Sequence, residues 1–182
     1  NTRLDWFNAP DPRPDYYRKL PSYFGLNGPE VEAQREQMFL DNPDLLQLDF
    51  DAMIEANRLP HPGFGNETGQ WSQYIIEEQR YDSKEFNFNT NYEGVVSDFL
   101  TMNVGAYFQH YNGRNYKTVS DLLGGDYYVN INKFVDLADG EDANQFDLNN
   151  PDRILREGDE WGYDYEPKVW KSGSWAQAQF SF

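Results

Sequence analysis

Cysteine is absent from the 182 residues, which removes disulfides, thiolate nucleophiles and Cys-ligated zinc at once. Histidine is scarce: there are two, His61 and His110, and neither sits in a spacing with other donors that binds a metal. Positive charge is also short, with 15 Lys and Arg against 31 Asp and Glu, for a net charge of −16. An acidic chain of this kind repels phosphate backbones, so nucleic acid is excluded as a partner. No apolar run approaches the roughly 20 residues that a transmembrane helix needs. That absence leaves a β-barrel open, because barrel strands need only about 9–11 residues of alternating character. No charged segment followed by an apolar core stands after Asn1, so no signal peptide is read there.

What is present is unusual in its combination. The hydrophobic fraction is 38%, low for a self-sufficient core, while aromatics reach 17%, far more than a disordered chain carries. The chain is therefore expected to fold, with a surface that is polar and aromatic together.

Residues 1–72 read as an elaborate loop region with short helices. Ala9-Pro10-Asp11-Pro12-Arg13-Pro14-Asp15 is too rich in proline for a helix interior or a central strand. Pro29 is placed to open one short helix through Met38, and a second is expected from Asp51 to Arg58, ended by Pro60 and Pro62. From about Gln73 the period becomes two. Phe86, Phe88, Thr90 and Tyr92 alternate with Glu85, Asn87, Asn89 and Asn91; after a connection at Glu93–Asp98, Leu100, Met102, Val104, Ala106 and Phe108 alternate with polar residues and glycine. Successive strand side chains point to opposite faces, so residues 73–111 are predicted to form an antiparallel hairpin with one apolar and one amide-rich face. Residues 112–169 form a second long polar stretch, with a short strand expected at Tyr127–Ile131. Residues 170–182 alternate again through Ala176, Ala178, Phe180 and Phe182.

A short turn at one end of the clean strands and long segments at the other is the pattern of outer-membrane barrels. Trp71, Tyr74, Tyr111, Trp170 and Trp175 lie near the expected strand ends, where an interfacial aromatic girdle would sit. A soluble β-sandwich shows the same alternation, so a soluble surface module that binds carbohydrate is the competing reading.

No catalytic constellation is found. Glu77-Glu78 and Asp159-Glu160 are adjacent pairs whose members point apart on a strand, and Ser97 and Ser120 lack a nucleophile-elbow context. The acidic run Asp136, Asp139, Glu141, Asp142 lacks the order of a calcium loop and reads as a solvated loop, with a loose Ca²⁺ site as the alternative. His110 reads as a strand-end residue. No enzyme, cofactor or metal site is expected. The candidate ligand contacts are Arg153 and Arg156, suited to a carboxylate or phosphate, and Trp161, Tyr163 and Tyr165, which would share one face of an extended strand. Self-packing of the loops competes with that role.

Several runs of residues point to a family. Leu4-Asp5-Trp6-Phe7-Asn8-Ala9-Pro10-Asp11-Pro12-Arg13-Pro14-Asp15-Tyr16-Tyr17-Arg18-Lys19-Leu20-Pro21-Ser22-Tyr23 resembles a surface-loop segment of TonB-dependent receptors of Bacteroidetes type. Tyr74–Arg80, Lys84–Tyr92, Asn150–Asp159 and Trp175–Phe180 are similar to the same family in the same order. The resemblance implies an all-β fold: an antiparallel transmembrane β-barrel segment with long extracellular loops, on the C-terminal side of a plugged barrel in the bacterial outer membrane. It implies import of a scarce nutrient, with the TonB complex and outer-membrane lipid as partners; whether a surface lipoprotein joins them is left open by the sequence. In that setting Leu100, Met102, Val104, Ala106 and Phe108 are expected to face lipid. The chain departs from the family in carrying no plug domain, no TonB box and too few strands to close a barrel, so it is expected to be one arc of a larger polypeptide.

Overall fold

The computed structural model describes residues 1–60, 67–135 and 142–181. Strands take 46% of the chain and helices 21%, so the architecture is mostly β, as the alternation predicts. The strands do not close into a barrel. In chain order the elements are β1 (Thr2–Trp6), α1 (Pro21–Phe24), α2 (Pro29–Asp41), α3 (Phe50–Arg58), β2 (Tyr74–Ser97), β3 (Leu100–Asp121), β4 (Tyr128–Val129), β5 (Ile154–Leu155), β6 (Glu160–Tyr165) and β7 (Lys168–Phe180). One sheet has the order β1-β2-β3-β6, with β7 also paired to β3, and β4-β5 is a second, two-stranded sheet. The chain divides into two compact units, Asn1–Glu78 with Thr118–Gly162, and Gln79–Lys117 with Tyr163–Phe182.

The first unit holds almost all of the core. Antiparallel pairing puts Leu4 opposite Ile76 and Trp6 opposite Tyr74, and puts Asp5 opposite Ile75. Partners in such a ladder share a face. Leu4, Trp6, Tyr74 and Ile76 therefore form one side, and Met53 and Ile54 of α3 pack there with Leu123. Ile75 lies on the other side and packs with Val119, Leu122, Tyr128, Leu155 and Trp161. A further cluster of Trp71, Tyr127, Val129 and Ile131 adjoins Phe7 and Ile154. Asp5, on the same side as Ile75, is paired with Lys133, whose ammonium also donates to Trp6 O at 2.7 Å. The Tyr128 hydroxyl donates to Asp5 at 3.3 Å. Burial, followed by the charge of Asp5, pushes the Tyr128 phenol well above its ordinary value, so it stays a neutral donor.

The helices follow local chemistry. Gly28 enters α2 at φ +125°, a conformation suited to glycine, and Pro29 takes the first helical turn, where its missing N–H costs nothing. Asp49 caps α3 by accepting from Ala52 N at 2.9 Å. Near the C-terminal end of α3 stands Asn57, with no exposed surface. Its Nδ2 donates to the carbonyls of Tyr74, Leu122 and Leu123 at 2.8, 3.0 and 3.1 Å. Its Oδ1 accepts from Gln73 N and Tyr74 N at 2.8 and 3.0 Å. The turn leaving β3 needs this support, since Leu123 and Gly124 adopt φ +47° and +83°. Buried Ser72 adds a second donor to Leu122 O at 2.6 Å.

The second unit is built from the long parts of β2 and β3 with β7. β3 and β7 run antiparallel from Leu100 opposite Phe180 to Asn112 opposite Lys168. The hairpin is tighter and longer than its alternation predicts. The expected connection at Glu93–Asp98 is strand as far as Ser97, because β-branched Val95 and Val96 extend β2, and the turn itself is Asp98-Phe99. The expected end at Tyr111 is passed by ten residues, to Asp121. Beyond Tyr111 the alternation fails, but nonlocal partners keep the chain extended. Arg114 pairs with Asp164 at 2.7 Å, and its guanidinium lies 4.2 Å from the Tyr116 ring centroid. Residues 1–72 and 112–169 are likewise not all loop, since β1, β6 and the start of β7 lie in them.

Two predictions follow from the first unit. Asn57→Ala removes this partner from two amides and from the carbonyls of Tyr74 and Leu123, each at roughly 1–3 kcal/mol, while Leu122 O keeps Ser72. The expected loss is at least about 3 kcal/mol in equilibrium unfolding, whereas Gln34→Ala, an exposed position in α2, changes stability by less than about 0.5 kcal/mol. The second concerns Asp11. Burial opposes its ionisation, but hydrogen bonds from Arg13 prevail and hold its carboxyl below the usual carboxylate range. Its stabilising contribution is thus complete above the unfolded value of about 3.9 and is lost as pH falls through the lower folded value. Carboxyl-carbon NMR titration of Asp11 should show this depressed value, and Arg13→Ala should raise it.

Candidate functional site

The second unit presents two chemically opposite faces. The β3–β7 register places Leu100 with Phe180, Met102 with Ala178, Val104 with Ala176 and Ala106 with Ser174 on one of them. Phe108 and His110 continue that face, and their rings lie against Trp170, at 5.7 Å between centroids for Phe108 and 3.8 Å for the nearly parallel His110. Phe86 of β2 joins at 6.3 Å from Phe108. No layer covers this face among the described residues: Phe86, Trp170 and Phe180 are 59%, 65% and 56% exposed. Val104 and Ala106 are exposed as well, and Leu100, Met102 and Phe108 are half-buried by their sheet neighbours.

The opposite face carries Thr101 with Gln179, Asn103 with Gln177, and Gln109 with Lys171. Glu85 and Asn87 of β2 are hydrogen-bonded to each other on it at 2.9 Å, and Gln109 also donates to Glu85. Two glycines interrupt the ladder, each directly opposite an aromatic: Gly105 faces Trp175 and Gly173 faces Tyr107. A Cβ on Gly105 would stand 2.6 Å from the Trp175 indole, and one on Gly173 would stand 2.4 Å from the Tyr107 ring. Both rings therefore lie down on bare backbone. They line a groove of about 320 Å³ with Asn89 and Asn91. Flat aromatic surface beside paired amides suits a ligand with an apolar ring face and a hydroxyl-rich rim. Nothing in the alternation pattern marks Trp175 and Tyr107 as a pair; the signal is the glycine that each meets across the ladder.

The expected loop contacts are not brought together. Arg153 donates to Glu160 O, and Arg156 donates to Asp126 O at 3.1 Å while its amide donates to Asp159 at 2.7 Å. Both arginines thus hold the loop of the first unit. Trp161 is 4% exposed in the core, with Tyr128 edge-on at 5.5 Å, so it offers no ring face to a ligand. The alternation through Trp161, Tyr163 and Tyr165 is broken by Gly162 at φ +70°. Tyr163 and Tyr165 do meet, at 5.8 Å, in the second unit, and Tyr165 is exposed.

Two other expectations are corrected. His110 lies inside β3 rather than at its end, because the strand runs on past it. Trp71 and Tyr74, expected in an aromatic girdle, are 5% and 6% exposed in a protein core, since the backbone of the 70–74 segment is pinned by Tyr127 and Asn57. His61, Phe182 and most of the Asp136–Asp142 run lie outside the described residues. Among the described residues no group of three or more His, Asp or Glu could hold a metal ion, and no helix is long and apolar enough to cross a membrane.

Comparison with protein-family models, curated proteins and solved structures returned no match.

The seating of the rings is testable. Gly105→Ala should displace the indole and shift the ¹⁹F resonance of 5-fluorotryptophan at position 175, leaving those at 6, 71 and 161 in place. An unmoved Trp175 resonance would show that the ring does not rest on the glycine.

Proposed function

We propose that the chain is one arc of an outer-membrane β-barrel, in a TonB-dependent receptor that imports a scarce nutrient. The observation that carries this reading is the uncovered apolar face of the β2–β3–β7 sheet, backed by an amide-rich face. Soluble monomers rarely leave a contiguous apolar patch of this kind in water. A barrel strand is built this way, with apolar residues toward lipid and polar residues toward the lumen. The outer edges of β2 and β7 would then pair with further strands, because open edges are not tolerated in lipid. The helices and the proline-rich segment of the first unit would belong to extracellular loops. The resemblance of the Leu4–Tyr23 run supplies the family, and with it the TonB complex as a partner.

A second reading is a soluble β-rich module that binds carbohydrate. The specific observation in its favour is the groove formed by Trp175, Tyr107, Asn89 and Asn91.

Site-directed spin labels at Val104 and Asn103 in the whole polypeptide, reconstituted in lipid, separate the two. In the barrel, oxygen relaxes the label at 104 strongly, and a water-soluble nickel chelate relaxes the one at 103. Nickel accessibility at 104 equal to that at 103 would remove the barrel reading, as would a monodisperse chain that unfolds cooperatively without detergent.

A further inference from the structure

The proline-rich segment, the turn after it and the helices of the first unit enclose a cavity of about 300 Å³, separate from both faces of the second unit. Its walls include Pro12, Lys19, Arg35, Phe39, Asp44 and Leu45. Arg35 is the decisive member. Its guanidinium is held between Phe24 and Phe39, 4.9 and 5.0 Å from their ring centroids. Its hydrogen bonds are long and poor, 3.4 Å to Lys19 O and 3.5 Å to Met38 Sδ. It meets no carboxylate among the described residues, although the chain carries 31 Asp and Glu against 15 Lys and Arg. Arg13, nearby in sequence, shows the ordinary outcome, a fork of hydrogen bonds to Asp11. Lys19, whose carbonyl Arg35 touches, has no ion-pair partner among the described residues either. Two cations thus border one cavity without a direct ion pair among the described residues, although the charge of Lys19 also acts on Asp11.

Two carboxylates line the cavity as well. Asp49 lines it too, but its carboxylate is committed to capping α3 at 2.9 Å from Ala52 N. Asp44 has no hydrogen-bond or ion-pair partner for its carboxylate among the described residues. Phe39, Leu45, Pro12 and Pro14 supply apolar wall. The volume lies at the small end of ligand pockets, which run from roughly 300 to 1,000 Å³, so it suits a single small molecule rather than a polymer.

We infer that this cavity binds a small zwitterion of the α-amino-acid type with an apolar side chain. The ligand carboxylate sits at Arg35 and Lys19, its ammonium at Asp44, and its side chain against Phe39 and Leu45. Arginine pre-positioned by ring stacking loses little freedom on accepting a carboxylate, and the pair is charge-assisted. The site does not depend on the barrel reading, since every residue in it belongs to the first unit.

Isothermal titration calorimetry on the whole polypeptide tests this with three probes: L-phenylalanine, L-phenylalaninamide and 3-phenylpropionate. Phenylalanine should bind, and each analogue, lacking one charged end, should bind at least about tenfold more weakly, which corresponds to roughly 1.4 kcal/mol. Arg35→Gln should abolish binding. Because that change also disturbs the packing of α2, Asp44→Asn carries the decision. The Asp44 carboxylate makes no hydrogen bond or ion pair among the described residues, and Asp44→Asn should weaken phenylalanine about tenfold while leaving 3-phenylpropionate unchanged, with no shift in melting temperature. No heat from phenylalanine at millimolar concentration would overturn the proposal. So would equal binding of all three probes, or displacement by inorganic phosphate, which would mark a nonspecific anion site.

Discussion

Five hydrogen bonds to one amide side chain hold the first unit together. Asn57 uses both donors and its acceptor at once, and it does so where three segments distant in sequence converge: the end of α3, the start of β2 and the turn leaving β3. Strand β2 starts at Tyr74 because its first amide and carbonyl are taken by Asn57. The turn after β3 tolerates Leu123 at φ +47° because two carbonyls there find the same donor. A residue that satisfies five buried backbone groups cannot be exchanged for one that satisfies fewer, since each orphan in a dry site is expensive. The hydrophobic clusters of α3 with β1 and β2 add bulk stability around this point, and the amide fixes where they meet.

The elements that could be read from the sequence are those whose cause is local. Pro29 and the polar residue before α3 mark helix starts by chemistry that acts within one turn. The alternation from Leu100 to Phe108 is a property of adjacent residues, and it emerges as a strand with the expected face. Strand β1 escapes this kind of reading because Thr2–Trp6 has only two apolar positions, and its charged Asp5 is explained by Lys133, far along the chain. The extension of β3 beyond Tyr111 escapes it for the same reason, as Arg114 and Asp164 lie fifty residues apart. Asn57 reads as an ordinary residue near a helix end until its partners are placed around it.

The candidate site divides along the same line. Which side chains of β3 share the apolar face was legible, because period two assigns faces without knowledge of the partner strand. The aromatic groove was not, because Gly105 and Trp175 meet only through a register fixed across seventy residues. The partners of the loop arginines were equally hidden. Arg153 and Arg156 each donate to a backbone carbonyl, that of Glu160 and that of Asp126. Arg35 drew no attention inside a helix, yet it borders a cavity with no carboxylate partner among the described residues.

The contrast between the two units decides how the second must be stabilised. The first unit buries Tyr127, Tyr128, Ile75, Leu155 and Val119 almost completely and ties their surroundings with buried hydrogen bonds. In the second unit the most buried hydrophobic residue among the described ones is Tyr116, still 8% exposed. Ordering a residue costs on the order of 1–2 kcal/mol of backbone entropy, and an isolated ribbon with both faces wet has little apolar burial to offset it. Aromatic rings laid on glycines recover some contact, but they cover only the amide-rich face. The apolar face keeps Phe86, Val104, Trp170 and Phe180 uncovered, so the missing stabilisation has to come from whatever lies against it. A hydrocarbon layer would supply it without a specific partner for each side chain, which fits a face whose residues vary from alanine to tryptophan and meet no second layer among the described residues. A protein layer would demand shape complementarity along the same strands. The irregular apolar face therefore argues for lipid on that side. In the barrel proposed above, the Trp175–Tyr107 groove would lie on the lumen side.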